Sequence, residues 1–208
     1  MYNVYLHPKE SDNPQFLSYD EFKNLFVDIC TQHKNERRAL AFAFILYDID
    51  NPEISEILTR NDYWNALNKI SGTYLTIFSL HNKEYPGFGL LDMLDEPTFK
   101  LLEPHFDKST YETLPSILFF QVTDNKVIDS FYVKLRNERV EKSFLEIKKY
   151  IKSAVEALQK IDEENYQNHI EIFQQLKNNV KSIESILNFN EVIKKIKPVK
   201  EIFSIFFG

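Results

Sequence analysis

Residues 44–58 read FILYDIDNPEISEIL: an apolar run, two aspartates, then Asn-Pro-Glu and a helical pattern. A strand that breaks into a helix N-terminus gathers side chains and backbone N–H groups at one point. Asp48, Asp50 and Glu53 place three carboxylates there. Carboxylate oxygens are hard ligands, so one reading is a divalent cation that polarises a phosphate or activates water. The plainer reading makes Asp50 and Glu53 a cap and a first-turn acid, where the helix dipole favours negative charge. The expectation carried forward is the plainer one, with no metal and no cofactor; Asp48, Asp50 and Glu53 form the alternative ligand set.

Other reactive residue types are sparse. The single cysteine, Cys30, falls on the apolar side of a helical pattern and reads as an inert core thiol. His7, His33, His81, His105 and His169 are scattered, with no pair at metal-ligand spacing. PGFGLL has glycines but neither the spacing nor the lysine of a phosphate loop. Trp64 sits among aromatic neighbours in a helix and reads as packing.

The elements that position these residues follow from periodicity. YNVYL alternates weakly as a short strand, and Ser18 with Glu21 forms a capping box opening a helix. RALAFAFILYD suits a strand buried on both faces. DNPE starts a helix whose pattern runs, with a kink near Asn61, to Gly72. TYLTIFSLH is a second buried strand; LPSILFFQV and KVIDSFYVKL are two more, joined as a hairpin through TDN. This order predicts an α/β fold, a mixed sheet with helices on both faces.

From Glu138 the texture changes. Phe144, Ile147, Ile151, Ala154, Leu158 and Ile161 form a heptad-like stripe. Its phase slips across DEEN and resumes as Tyr166, Ile170, Phe173, Leu176, Val180, Ile183 and Leu187. Either a helical hairpin folds back on the sheet, or a coiled coil meets a partner. The division expected is an α/β domain over 1–139, its last helix reaching about 152, and an all-helical extension over 140–208.

Charge and composition narrow the function. The chain has 208 residues, 43% hydrophobic and 27% charged, with a net charge of −6. Up to residue 139 it carries fourteen Lys/Arg against twenty-one Asp/Glu. An acidic body argues against nucleic acid, which needs a basic footprint to displace counterions. A lone cysteine, no basic start leading into an apolar run, and no bilayer-length apolar stretch make the cytoplasm the expected location.

The element order, with LPSILFF before a hairpin and a final helix, resembles the thioredoxin-like fold over roughly residues 2–152. That family places a cis proline at the position of Pro115, after Leu114. Its redox members carry Cys-x-x-Cys where the second strand meets the next helix, and this motif falls on Asp50-Asn51-Pro52-Glu53. The proline matches and both cysteines are missing. Thiol exchange needs a thiolate, which a carboxylate cannot replace. The resemblance therefore implies a redox-inactive member. An apolar strand ending in Asp-x-Asp also resembles the first motif of haloacid-dehalogenase-type phosphatases, with Ser79 as a stand-in for the second. That family also needs a lysine and a further acidic pair in matching places, and LLDMLDE matches the acidic pair loosely. Asp129-Ser130 imitates the acid-serine pair of glutathione transferases, but the strand continues where that family starts a helix.

Two surfaces remain for binding. The thioredoxin-like resemblance implies a groove for an extended peptide, bordered by Asp48, Asp50, Asn51, Pro52, Leu114 and Pro115. The segment from Asn82 to Thr113, with seven Asp/Glu, would give that groove an acidic rim or cover the sheet. The second surface is the end of the chain, NEVIKKIKPVKEIFSIFFG, where Ile202, Phe203, Phe206 and Phe207 follow a basic stretch. Residues 189–208 suit a membrane surface, a partner's groove or the chain's own domain. The expected function is a non-catalytic protein-binding or assembly module, with a protein partner or self-association through 140–208. A metal-dependent phosphohydrolase at Asp48 and Asp50 and a peripheral membrane adaptor are the alternatives.

Overall fold

A computed structural model describes residues 1–7, 17–47, 51–82, 102–103, 105–106, 113–123, 126–136 and 138–185. Residues 2–7, 17–25 and 80–82 enter through their backbone. The fold is mixed α/β. Strands β1 (Tyr2–His7), β2 (Leu17–Ser18), β3 (Ala41–Leu46), β4 (Leu75–Asn82), β5 (Ser116–Thr123) and β6 (Lys126–Lys134) form one sheet in the order β2-β1-β4-β3-β5-β6. β2, β4 and β3 run parallel along the β1 side; β5 pairs antiparallel with β3, and β6 with β5. The two-residue β2 has no counterpart in the sequence pattern.

Alternation along β3 and β5 divides the core between the two faces. Ala41, Ala43, Ile45, Ile117 and Phe119 point to one side. Phe42, Phe44, Leu118 and Phe120 point to the other. The second face is aromatic: Phe44 and Phe120 stack at 5.2 Å, and Phe26 from helix α1 (Tyr19–Asn35) lies 5.2 Å from Phe44. Leu102 and Phe106 join the same cluster, covering part of the sheet, one of the two roles left open for the acidic segment; residues 83–101 lie outside the described residues. α1 begins directly after Ser18, where the capping box places it.

The first face is covered by α2 (Pro52–Thr59), α3 (Asn61–Ser71) and α4 (Val140–Leu158). The expected kink near Asn61 is a full break at Arg60, whose backbone is extended at φ −75°, ψ 127°. The Arg60 guanidinium bridges Glu56 at 2.9 Å and Asp62 at 2.8 Å across that break. Gly72 ends α3, as expected, at φ 54° and ψ −138°, a positive-φ conformation that glycine adopts without steric cost. Trp64 is partly buried against this cluster.

The first half of the stripe beyond residue 140 is buried within the chain, and its last residue, Leu187, lies outside the described residues. Ile147, Ile151, Ala154 and Leu158 belong to the same cluster as β3 and β5. The phase slip is a turn containing a short 3-10 helix, Glu163–Asn165. Helical residues 169–185, here α5, then fold back beside α4 and β6. Phe173 meets Phe131 of β6 at 5.6 Å, Lys177 meets Asp129 at 3.6 Å, and Asn179 donates to the Ser153 carbonyl at 2.6 Å. One stripe residue is misassigned by periodicity: Ile170 is 76% exposed, and Ile172, two positions on, is buried. The helix begins only at 169, so the phase restarts there and Ile170 lies on its outer side. Among the described residues, no helix is long and apolar enough to cross a membrane.

Candidate functional site

Two ends of the sheet gather chemistry-bearing residues. The first is the end where β3 stops and β5 starts. Register fixes it: Leu46 lies opposite Ser116, so residues leaving β3 emerge beside those entering β5. Asn51 caps α2, its side-chain oxygen accepting the Ile54 N–H at 3.1 Å, and Pro52 occupies the first helical turn. Across from them the Leu114–Pro115 peptide is cis, and the Pro115 carbonyl accepts the Leu135 N–H at 2.8 Å. Pro115 and Ser116 are buried and Leu114 is half-buried. Ser116 Oγ has no hydrogen-bond partner among the described residues.

Of the six expected groove residues, Asn51, Pro52, Leu114 and Pro115 are thus brought to one end. Asp48 and Asp50 lie outside the described residues, as do Ile202, Phe203, Phe206 and Phe207. Glu53 sits in the first turn of α2, half-buried. Among the described residues no three His, Cys, Asp or Glu side chains cluster closely enough to hold a metal ion. Cys30 is buried in the aromatic cluster, and burial pushes its thiol far above the usual range, although Lys34 opposes this. It is no nucleophile at neutral pH.

Beside this end, Glu146 of α4 is nearly buried. Its carboxylate accepts the Arg136 N–H at 2.9 Å, and Arg136 Nε lies 3.7 Å away. Burial raises its pKa; the Arg136 N–H and guanidinium oppose the rise, and Glu138 adds to it. Burial also raises the pKa of Tyr150, one turn along α4, with the Glu146 charge adding to it. Both groups went unremarked in the sequence because each sits in an ordinary amphipathic helix.

The opposite end of the sheet holds an open cavity of about 780 Å³. It lies between the C-terminus of α1, the start of β3, the end of β5 and the 163–169 turn, and its lining includes Thr31, Lys34, Arg37, Glu163, Tyr166 and His169. A buried glutamine organises it. A bulge in β5 falls between Gln121 and Val122; Gln121 Oε1 accepts the Val122 N–H at 3.0 Å. Its Nε2 donates to the Leu40 carbonyl at 2.9 Å and reaches the His169 carbonyl at 3.4 Å. Lys34 Nζ donates to the Val122 carbonyl. One side chain therefore ties β5, the start of β3 and the start of α5 together.

The end of α1 is closed by two backbone bonds, Arg37 N–H to the Lys34 carbonyl at 2.9 Å and Arg38 N–H to the His33 carbonyl at 2.7 Å. This pairing is a Schellman motif, in which Arg37 occupies the left-handed position usually given to glycine. Its φ is +56°, the one positive φ of a non-glycine residue among those described. A side chain there costs about 1 kcal/mol relative to glycine. Close by, His33 Nδ1 lies 3.0 Å from Thr76 Oγ1, and burial lowers its pKa, with Arg38 adding to the shift and Glu36 opposing it.

The sequence carried two signals for this end: a lone glutamine inside the apolar strand LPSILFFQV, and an arginine where the helix pattern of α1 ends without glycine. Comparison with protein-family models, with curated proteins and with solved structures returns no match.

Proposed function

We propose that this chain is a redox-inactive thioredoxin-like domain with a helical extension, and that it binds an extended polypeptide at the β3–β5 end of the sheet. The observation that carries the reading is the strand order β1-β4-β3-β5-β6 with β5 antiparallel to β3. That order puts the start of α2 next to the start of β5, the arrangement the family uses to present backbone groups to a bound strand. The cis Leu114–Pro115 peptide and the Asn51-Pro52 helix start agree with it. In sequence, Asp50 and Glu53 stand at the two cysteine positions of the redox motif, and Cys30 is buried elsewhere. Binding at such a site is strand addition: main-chain hydrogen bonds supply affinity, and alternate side chains supply selectivity.

A display selection of unstructured peptides on the full chain tests the reading. Selected peptides should bind wild type and lose about tenfold affinity or more on Leu114→Glu. Circular dichroism would verify that this variant is folded, and Glu53→Arg serves as a second variant at the same rim. Peptides that bind both variants as they bind wild type would remove the groove from the account. Failure to select any peptide would count against the binding role itself.

A further inference from the structure

The cavity at the opposite end is independent of the peptide groove, and its lining points to a different ligand. We propose that it binds a small organic phosphate, with the Arg37 guanidinium as the anchoring cation. At about 780 Å³ it has the size of a small-molecule site, far larger than a phosphate group alone, so the ligand carries an organic body. Lys34 and Arg37 contribute two positive charges to the lining against the single carboxylate of Glu163.

The negative end of α1, which by itself disfavours an anion, is blunted here because the His33 and Lys34 carbonyls are both engaged by backbone N–H groups. Arg37 itself is paired with Glu163 at 3.6 Å, but the two side chains are 74% and 79% exposed. An ion pair so open to water is weak, so a phosphate can replace the carboxylate on Arg37. A guanidinium presents forked donors that match phosphate oxygens, which a lysine point charge does not. Keeping that fork at a position where glycine fits the backbone better is what sets this arginine apart from an ordinary surface cation. Tyr166 and His169 line the space beyond it, where the organic body would lie, and Gln121 holds the His169 backbone to the sheet.

The test is calorimetric titration and thermal melting of the full chain at fixed ionic strength. The probes are inorganic phosphate, glycerol 3-phosphate and adenosine 5′-monophosphate, with acetate and adenosine as controls. At least one phosphomonoester should bind more tightly than inorganic phosphate and raise the melting temperature, while both controls leave it unmoved. Arg37→Gly should melt at or above the wild-type temperature, since glycine suits the left-handed position, yet lose about tenfold affinity or more. Glu163→Gln should bind more tightly than wild type, because the competing carboxylate is gone. An Arg37 that served only as a structural partner of Glu163 would give a less stable Arg37→Gly chain with unchanged binding. That result would overturn the proposal, as would no binding by any of the three phosphates, or equal response to acetate or adenosine.

Discussion

The two ends of the sheet are made of different material. At the β3–β5 end, the residues brought together are Leu46, Asn51, Pro52, Leu114, Pro115 and Ser116, none of them charged and only Pro52 and Leu114 reaching the surface appreciably. At the other end, Lys34, Arg37, Glu163 and His169 bring cation, carboxylate and imidazole to a cavity, and the buried Gln121 ties together the elements around it. The first arrangement suits a ligand that supplies its own hydrogen-bonding edge, and the second suits one whose charge must be matched. One sheet can thus serve two unrelated kinds of recognition, provided its ends are built independently.

The sharpest way to break that comparison is to loosen one end and watch the other. Gln121→Ala leaves the Val122 N–H and the Leu40 carbonyl without their buried partner. It should cost about 3 kcal/mol in urea denaturation, since each orphaned buried group costs about 1–3 kcal/mol. Hydrogen exchange in that variant should quicken around 39–41, 121–123 and 168–172, and stay slow at 116–118. Asn51→Ala acts on the other end and is smaller, about 1 kcal/mol from the lost cap, while Asn51→Asp should stay near wild type because aspartate caps equally well.

A third effect is graded by pH. The folded pKa of His33 lies below the ordinary 6.5, so the unfolded chain binds more protons in the window beneath that value. Stability should therefore be full above pH 6.5 and fall as pH drops through that window. Glu146 has the opposite sign: its raised pKa means the folded state holds its proton longer, so stability declines as pH rises above the ordinary 4.5. Melting curves from pH 4 to 8 would resolve the two. Glu146→Gln should flatten the Glu146 component, and His33→Gln the His33 component.

Much of the fold was legible because it rests on patterns of period. The all-apolar AFAFIL and the ILFF run of β5 announce strands buried on both faces, and Asn51-Pro52-Glu53 announces a helix start. The heptad-like stripe announced an amphipathic helix but not its partner, because burial against a sheet and against a second chain leave the same pattern. Ile170 was misplaced because a turn resets helical phase by an amount that the sequence does not encode locally. Of the candidate sites, the β3–β5 end was expected from the thioredoxin-like resemblance, which rests on element order and the place of Pro115. The cavity was not, since Lys34 and Arg37 at the end of α1, Gln121 of β5 and His169 of α5 come from three separate elements and meet only in three dimensions.

The central claim, peptide binding at the β3–β5 end, is tested most directly by backbone amide shifts on the full chain titrated with a selected peptide. The account predicts perturbations concentrated at residues 45–47, 51, 53–54, 114 and 116–117, with 31–40 and 163–169 unmoved. Perturbations concentrated instead at 31–40 and 163–169, or spread evenly over the surface, would contradict it.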